Sequence, residues 1–231
     1  MCDLVQELGS CYNMQPEALA NNVVFTLGKL THKHADNSKL LTRSGVQLIV
    51  QALQSYGVDR ITQAGNGLFA LSALIQHNPS AWEKILTTEV VELVITMLCV
   101  HAIDDASIAI YGINILECAF TCAKDKGDTV LSFLYRTLVS LKIGTLLVHM
   151  LSVYSYNALN CNVDVTCRVV NLLHLFYVKH DRGDSASAEL KEQLLSAKTA
   201  TVLQSAILNN VVVMDKHAND YALEIITRLA L

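Results

Sequence analysis

Four short groups of residues have types and spacing that could take part in chemistry. His32-Lys33-His34 places two imidazoles near each other, as part of a metal site would require. Cys118 and Cys122 lie one helical turn apart and could bind a metal or respond to oxidation. Ala64-Gly65-Asn66-Gly67 has the glycines of a phosphate-binding loop, and Arg182-Gly183-Asp184 spells an adhesion tripeptide. Each group is therefore a candidate site.

Each candidate also has a simpler structural interpretation. No cysteine or carboxylate cluster near His32 and His34 completes a tetrahedral metal site, so we expect a solvated loop there. The glycine-rich group lacks the Lys-Ser/Thr pair and the preceding strand of a P-loop. Gly67 and Gly112, 45 residues apart, instead predict close packing of adjacent helices. We interpret the two cysteines as core residues and the tripeptide as a polar loop.

Sequence motifs for catalysis are missing. The chain has no serine or cysteine nucleophile motif, no His-Glu pair with metal spacing and no paired carboxylates in an obvious pocket. We therefore expect a protein that is not an enzyme and needs no cofactor or metal; only scattered histidines and cysteines favour the enzyme alternative. Tyr154, Tyr156 and Asn157 form an aromatic segment that either contacts a partner or folds over apolar surface.

A helical block that recurs four times organises the chain. Its last apolar residues are spaced by 45, 53 and 56 residues, at Leu53, Leu98, Leu151 and Ile207. A second apolar block follows each one, with the triplets Leu68/Leu71/Leu74, Ile113/Leu116/Ala119, Val169/Leu172/Leu175 and roughly Ala222/Ile225/Arg228. Spacings in the mid-forties and above are typical of armadillo or HEAT units and exceed those of tetratricopeptide or ankyrin units.

Composition supports a stack of helices. Of the 231 residues, 52% are hydrophobic, 16% are charged and only two are proline. A membrane helix needs about 20 consecutive apolar residues, and the best stretch, residues 130–156, is interrupted by Arg136, Lys142 and His149. We expect no membrane span, because the middle helices of a solenoid are covered on most sides and are apolar for that reason.

Charge and cysteine content indicate the compartment and the class of partner. The net charge of −4 argues against nucleic acid as the main ligand. The seven cysteines do not have the paired spacing of a disulfide framework, and most of them (including Cys99, Cys161 and Cys167) lie at apolar helical positions. The start, Met1-Cys2-Asp3, is acidic where a signal peptide would be basic. We expect a cytoplasmic, reducing location, with nuclear or cytoskeletal association as the open alternative.

Helical periodicity and breaks divide the chain into five units within one domain, residues 1–231. The units are residues 1–36 (partial), 37–79, 80–124, 129–181 and 186–231. First helices are predicted over 39–42, 81–87, 129–141 and 186–197, and second helices over 46–56, 90–102, 143–154 and 199–209. Third helices are predicted over 16–30, 60–77, 104–123, 163–180 and 215–231, with a partial helix over 3–8. Gly45 is predicted to separate two helices, and residues 124–128 and 155–162 are predicted to be loops.

This order of helices resembles the armadillo repeat family, with HEAT repeats as the alternative. Gly45 matches the family's glycine between the first two helices, while Gly144 is displaced by about one position. The resemblance implies an all-α, right-handed superhelix of about four to five repeats, whose third helices line a groove. In the best known members, an asparagine near the end of each third helix binds the backbone of an extended peptide. The matching positions are Lys29, Ala73, Cys118, His174 and approximately Arg228. None is asparagine, and the only tryptophan, Trp82, lies in a first helix, so binding of nuclear-localisation signals is not expected.

Third-helix spacing predicts which residues line the groove. They are Gln63, Asn66, Ala70, Ser107, Tyr111, Asn114, Cys167, Asn171 and His174. This mildly polar, nearly uncharged surface suits an amphipathic helix or a hydrophobic peptide; the alternative at each position is burial against a neighbouring helix.

The predicted function is protein–protein interaction without catalysis. We expect an intracellular scaffold or adaptor; the alternative is a cochaperone-like or regulatory helical domain that clasps one folded partner. The last helix has an apolar face, formed by Ala222, Ile225, Ile226 and Leu229, that no polar cap follows. We therefore also expect self-association, or partner binding, through residues 186–231.

Overall fold

The computed structural model describes residues 16–76, 78, 87–156, 161–181, 183–209 and 215–231. Within these ranges all regular structure is helical and there is no β-strand, which confirms the predicted all-α class. The helices are α1 (Pro16–Thr31), α2 (Ala35–Ala52), α3 (Ile61–Gln76), α4 (Thr88–His101), α5 (Ala106–Lys126), α6 (Asp128–Ser140), α7 (Ile143–Tyr156), α8 (Val163–His174), α9 (Ser185–Ser196), α10 (Thr199–Leu208) and α11 (Lys216–Ala230). The predicted helix over 3–8, the segment 81–86 with Trp82, Asn157 and Arg182 lie outside the described residues.

Helix α2 runs through Gly45 without a break, so the predicted division into two helices at this glycine is wrong. A glycine inside a helix costs only about 1 kcal/mol relative to alanine, which packing readily offsets. Here Val46 and Ile49 of the same helix are buried in the core. After α2 the helix widens into a π-helical turn, Leu53–Gly57.

The predicted loop over residues 124–128 is also wrong. Helix α5 continues to Lys126 and α6 begins at Asp128, so a single glycine makes the turn. Gly127 has φ 108°, a backbone conformation that side-chain-bearing residues rarely adopt. Three other turns between helices each contain one left-handed residue: Lys33, Lys142 and Lys198, with φ of 62°, 60° and 56°.

The helices predicted as third helices lie against one another in chain order. α1 contacts α3, α3 contacts α5, α5 contacts α8 and α8 contacts α11. The contacts also run in ascending order along each pair: Glu17 meets Arg60 and Asn21 meets Asn66. These neighbouring helices are therefore parallel. The core lies between them and the second helices α2, α4, α7 and α10, each of which packs on the third helix that follows it.

One close contact repeats between the second and third helices of two consecutive units. A Cβ added to Gly67 would lie 2.4 Å from Cδ2 of Leu53, and one added to Gly112 would lie 2.4 Å from Cδ2 of Leu98. Both leucines are fully buried. The prediction that these glycines allow close helix packing is confirmed.

A hydrogen bond between consecutive second helices repeats in the same way. Nε2 of His101 lies 2.8 Å from the Gly57 carbonyl oxygen, and the Tyr154 hydroxyl donates to the Ala102 carbonyl at 2.6 Å. His101 lies three residues after Leu98, and Tyr154 lies three residues after the equivalent Leu151. The acceptors Gly57 and Ala102 lie four residues after Leu53 and Leu98. Equivalent positions thus make equivalent contacts in successive units.

Helix α5 is long and apolar enough to cross a membrane by length and composition, and α6 with α7 would pass the same test as one segment bent by 62°. Half of the apolar window of α5 is buried inside the chain, where the helix contacts α3, α4, α6 and α8. Core helices of this kind pass the same test.

Candidate partner-binding surface

The outward faces of α1, α3, α5, α8 and α11 adjoin and form what we call the third-helix surface. Most of the residues predicted for the groove lie on it, exposed or half-buried: Asn66, Ser107, Tyr111, Asn114 and Asn171. The structure therefore brings together predicted residues from three helices that are far apart in sequence.

The other predicted groove residues are buried. Gln63 on α3 is 2% exposed, and its side-chain amide has no hydrogen-bond partner among the described residues. Ala70 is part of the core, and Cys167 and His174 on α8 are almost fully covered. Along α8 and the π-helical turn that follows it, Leu175–Lys179, the corresponding half-buried positions are Arg168, Asn171 and Leu175. The surface therefore lies one residue later than predicted at two of three positions. Helical spacing places a face only to within about one residue, because one residue rotates the direction by about 100°.

An aromatic cavity of about 300 Å³ opens on the third-helix surface between α1, α3 and the first turns of α5. It is lined by Phe25, Lys29, Ile61, Thr62, Gly65, Asn66, Phe69, Asp105, Ser107 and Tyr111. Three of these, Asn66, Ser107 and Tyr111, are predicted groove residues. Its walls come from three consecutive third helices, so a molecule in this cavity would touch three units at once.

Aromatic rings lie side by side along the cavity. The ring centroids of Phe69 and Tyr111 are 5.4 Å apart, and those of His32 and Phe69 are 5.6 Å apart. The Lys29 ammonium lies 5.1 Å from the Phe25 ring centroid and 5.3 Å from that of Phe69, within the range of cation–π attraction. The cavity offers flat apolar faces and one cation, a combination suited to protein side chains.

The carboxylate of Asp105, at the aromatic cavity, already accepts a hydrogen bond. Asp105 is the N-cap of α5, and its carboxylate accepts a hydrogen bond of 2.7 Å from the Ser107 backbone N–H. A carboxylate at a helix N-terminus is stabilised there by the helix dipole.

A second cavity, of about 430 Å³, lies beside the first between α1 and α3, and we call it the amide cavity. It is lined by Glu17, Ala18, Asn21, Asp59, Arg60, Ile61, Thr62 and Gln63. Ile61 and Thr62 belong to both cavities, so the two are neighbours. Arg60 and Glu17 form an ion pair of 3.0 Å at its rim.

The contribution of α1 to both cavities was not predicted from the sequence, apart from Lys29. Phe25 could have indicated this contribution, because it is an aromatic residue that lies off the apolar face of α1. In the structure its side chain is 43% exposed. An exposed large aromatic residue on a surface helix favours a contact role.

Further along the surface, α5 and α8 are joined by a polar network. Arg168 donates through Nε to Asp164 at 2.9 Å and through Nη1 to the Asn114 side-chain oxygen. Burial raises the pKa of the nearby Glu117 carboxyl, the Arg168 cation opposes this rise, and the Asp164 charge adds to it. Asn114 is therefore occupied in binding α5 to α8.

Helices α8 and α11 are joined by the predicted groove residue His174. Its Nε2 lies 2.8 Å from Oε2 of Glu224, and its ring stacks on Tyr221 with centroids 3.8 Å apart and an interplanar angle of 8°. Lys179 lies 5.5 Å above the same tyrosine ring. Because His174 is buried, with its Nε2 paired to Glu224 and its ring stacked on Tyr221, it holds α8 and α11 together.

The described cysteines are free thiols with different exposures. Burial, and then the Glu117 charge, raises the pKa of Cys118 to about 11, which keeps this thiol protonated at neutral pH. Cys122 is half-buried and Cys167 is buried, but Cys99 and Cys161 are exposed, so the expected apolar surroundings are wrong for these two. In the described ranges, no three His, Cys, Asp or Glu residues cluster as a metal site would require.

The apolar face predicted for the last helix is mostly covered by the chain itself. Ala222, Ile225 and Leu229 are buried, and Ile226 is half-buried. Among the described residues at this end, the large apolar side chains that remain exposed are Leu195, Leu208, Leu223 and Leu231. We call the outer surface of α9, α10 and α11 the terminal face.

The chain matches no model of a known protein family, no curated protein and no solved structure.

Proposed function

We propose that this chain is a non-catalytic protein-interaction module, a scaffold or adaptor that binds a protein or peptide partner through the third-helix surface. The observation that carries the proposal is the aromatic cavity, whose walls come from three consecutive third helices. Exposed aromatic side chains beside a cavity are typical of protein contact sites, where they contribute large contact areas. The proposal includes no enzyme activity, cofactor, nucleic acid or membrane span.

We further propose that the helices form an armadillo-type right-handed superhelix rather than a HEAT array. The parallel third helices, the repeated glycine–leucine contact and the repeated hydrogen bond between second helices support a stack of equivalent units. The first helix of the second unit is continuous with its second helix, a departure from the three-helix unit. The proposed location is cytoplasmic, based on the cysteine content of the sequence.

The terminal face supports a second partner site. Leu223 and Leu195 are each about half exposed, and Leu231 is 93% exposed. Exposed leucines in neighbouring helices favour self-association or the binding of a folded partner, as a regulatory or cochaperone-like domain would do.

Gly65 allows a direct test of the third-helix site. A Cβ at this position would meet only Ile108, at ordinary contact distances of 3.6 Å from Cγ1 and 3.9 Å from Cδ1, so alanine fits. Leucine would extend further and occupy the aromatic cavity. We expect Gly65→Leu to lose the partners that the wild-type chain and Gly65→Ala both retain, in a quantitative pull-down with mass spectrometry. The same partners, in the same amounts, on all three proteins would contradict the proposed site, provided circular dichroism shows equal folding.

A further inference from the structure

Two side chains of opposite charge line the aromatic cavity, and neither forms an ion pair within the described ranges. The Lys29 ammonium lies over the rings of Phe25 and Phe69, and its N–H groups have no oxygen or nitrogen acceptor in the described chain. The Asp105 carboxylate accepts the Ser107 N–H through Oδ1, and its Oδ2 has no partner in the same ranges. The walls of the cavity therefore carry an unpaired cation and an unpaired carboxylate oxygen.

The remaining walls favour a flat apolar group. Phe25, Phe69 and Tyr111 contribute ring surfaces to the cavity. Aromatic rings attract one another at centroid separations of about 4.5–7 Å, and the 5.4 Å between Phe69 and Tyr111 lies within this range. A third ring can pack against them in the same way. With a volume of about 300 Å³, the cavity is at the lower end of the range in which proteins bind small molecules.

We propose that the aromatic cavity binds a free aromatic α-amino acid as its zwitterion. The ring of the amino acid packs against Phe69 and Tyr111. Its α-carboxylate accepts from the Lys29 ammonium, and its α-ammonium donates to the Asp105 carboxylate, so that each charge is paired. The inference goes beyond the proposed function, because it concerns a small molecule and requires no protein partner.

Ligands with one kind of charge fit this cavity less well. A lone cation, such as a methylated lysine side chain, also binds aromatic faces, but the Lys29 ammonium already lies on two of them and would repel it. A nucleotide would bring a ring and phosphates. Asp105 lines this cavity, Glu17 and Asp59 line the neighbouring amide cavity, and these carboxylates repel phosphate. A ligand that carries both charges is attracted at both walls.

The ends of a protein chain offer only part of this chemistry. A C-terminal aromatic residue has the ring and the carboxylate, but its nitrogen is an uncharged amide. An N-terminal aromatic residue has the ring and the ammonium, but its carboxyl group is an amide. Because only the free amino acid combines the three groups, the two chain ends are outcomes that the experiment distinguishes.

The first experiment titrates L-tryptophan into the full-length wild-type chain, followed by isothermal titration calorimetry and ligand-observed NMR. We expect a dissociation constant of roughly 0.1–1 mM, as for a ligand of about 15 non-hydrogen atoms in an open cavity. Three analogues each lack one group: N-acetyl-L-tryptophan the ammonium, L-tryptophan amide the carboxylate, and L-leucine the ring. Each should bind roughly tenfold more weakly or worse, since a charged hydrogen bond or a ring contact is lost.

The second experiment removes the protein's two charges. Lys29→Met removes the ammonium, and Asp105→Asn removes the negative charge while keeping a side-chain oxygen for the N-cap of α5. Each variant should bind L-tryptophan roughly tenfold more weakly. Lys29→Met should bind L-tryptophan amide at least as tightly as the wild-type chain does, and Asp105→Asn should do the same with N-acetyl-L-tryptophan. Lys124→Met is the control, because Lys124 is exposed on α5 and does not line the cavity.

These two crossed results separate direct contact from structural damage, because a damaged site would lose all ligands together. Gly65→Leu fills the cavity and should abolish binding of L-tryptophan.

Four results would overturn the inference. They are no saturable binding of L-tryptophan, L-tyrosine or L-phenylalanine up to about 10 mM, an analogue of either chain end that binds as tightly as the free amino acid, equal losses of all ligands on Lys29→Met and Asp105→Asn, or unchanged binding on Gly65→Leu. The analogue comparison uses the wild-type chain alone, so it stands even if a variant fails to fold. None of these results decides the proposed function, which the pull-down of protein partners tests separately.

Discussion

Gly65 and Gly67 lie two residues apart on α3, yet their missing side chains have different consequences. Gly67 faces the second helix of its own unit, where the fully buried Leu53 fills the space that a Cβ would need. Gly65 faces the aromatic cavity, where a Cβ would make only an ordinary contact with Ile108. One glycine thus permits close packing, and the other leaves space on the surface.

Alanine at these two positions should change stability in opposite directions. Gly67→Ala should destabilise the fold by about 1–3 kcal/mol, because Leu53 has no space to move aside. Gly65→Ala should stabilise it by about 0.5–1 kcal/mol through helix propensity alone. Urea unfolding followed by circular dichroism measures both, and equal effects would mean that the rotation of α3 about its axis is wrong.

Helix α2 shows how packing decides the extent of an element. Gly45 matches a family position that separates two helices, but in this chain it lies inside one helix of 18 residues. A Cβ here would lie 3.6 Å from Leu41 Cβ and 3.8 Å from Leu74 Cδ1, both ordinary contact distances. The position therefore accepts a side chain without rearrangement.

Gly45→Ala distinguishes the continuous helix from two separate ones. In a continuous helix, alanine should raise the free energy of unfolding by about 0.5–1 kcal/mol, because it restricts the unfolded chain and favours helical backbone. A glycine that made a turn with positive φ would give the opposite sign. Gly127, whose φ is 108°, is the matched control, and alanine there should destabilise the fold.

At the scale of the whole molecule, the two ends of the helix array differ from its middle. The third helices α3, α5 and α8 each have a parallel neighbour on both sides, whereas α11 has a helix of this kind on one side only in the described chain. Leu223, on α11, is about half exposed. An exposed leucine on a surface helix favours contact with a partner or with a second copy of the chain.

Self-association through the terminal face should depend on that leucine. We expect Leu223→Glu to shift the chain toward the monomer in light scattering at high concentration. Burying the new carboxylate at an apolar contact would remove its hydration without a replacement partner, which disfavours association. Phe133→Glu on α6 is the control, because Phe133 is comparably exposed but lies outside the terminal face. A wild-type chain that is monomeric at every concentration would exclude self-association by this face.

The sequence alone determined the helical class and most helix positions, because the apolar spacing and the capping residues act locally. The third helices predicted over 16–30, 60–77 and 163–180 agree closely with α1, α3 and α8 plus its π-helical turn. The glycine–leucine packing was also predictable, since the 45-residue repeat of Gly67 and Gly112 is visible in the sequence.

Only the tertiary structure decided which residues face outward and which space remains between helices. Ala70, Cys167 and His174 share the periodicity of the surface residues, but burial depends on the rotation of each helix against its neighbours, which spacing does not specify to within one residue. The two cavities lie between the parallel helices α1 and α3 and adjoin at Ile61 and Thr62, which line both. The unpaired amide of Gln63 is a property of that packing, because a glutamine's partners are set by distant segments of the chain.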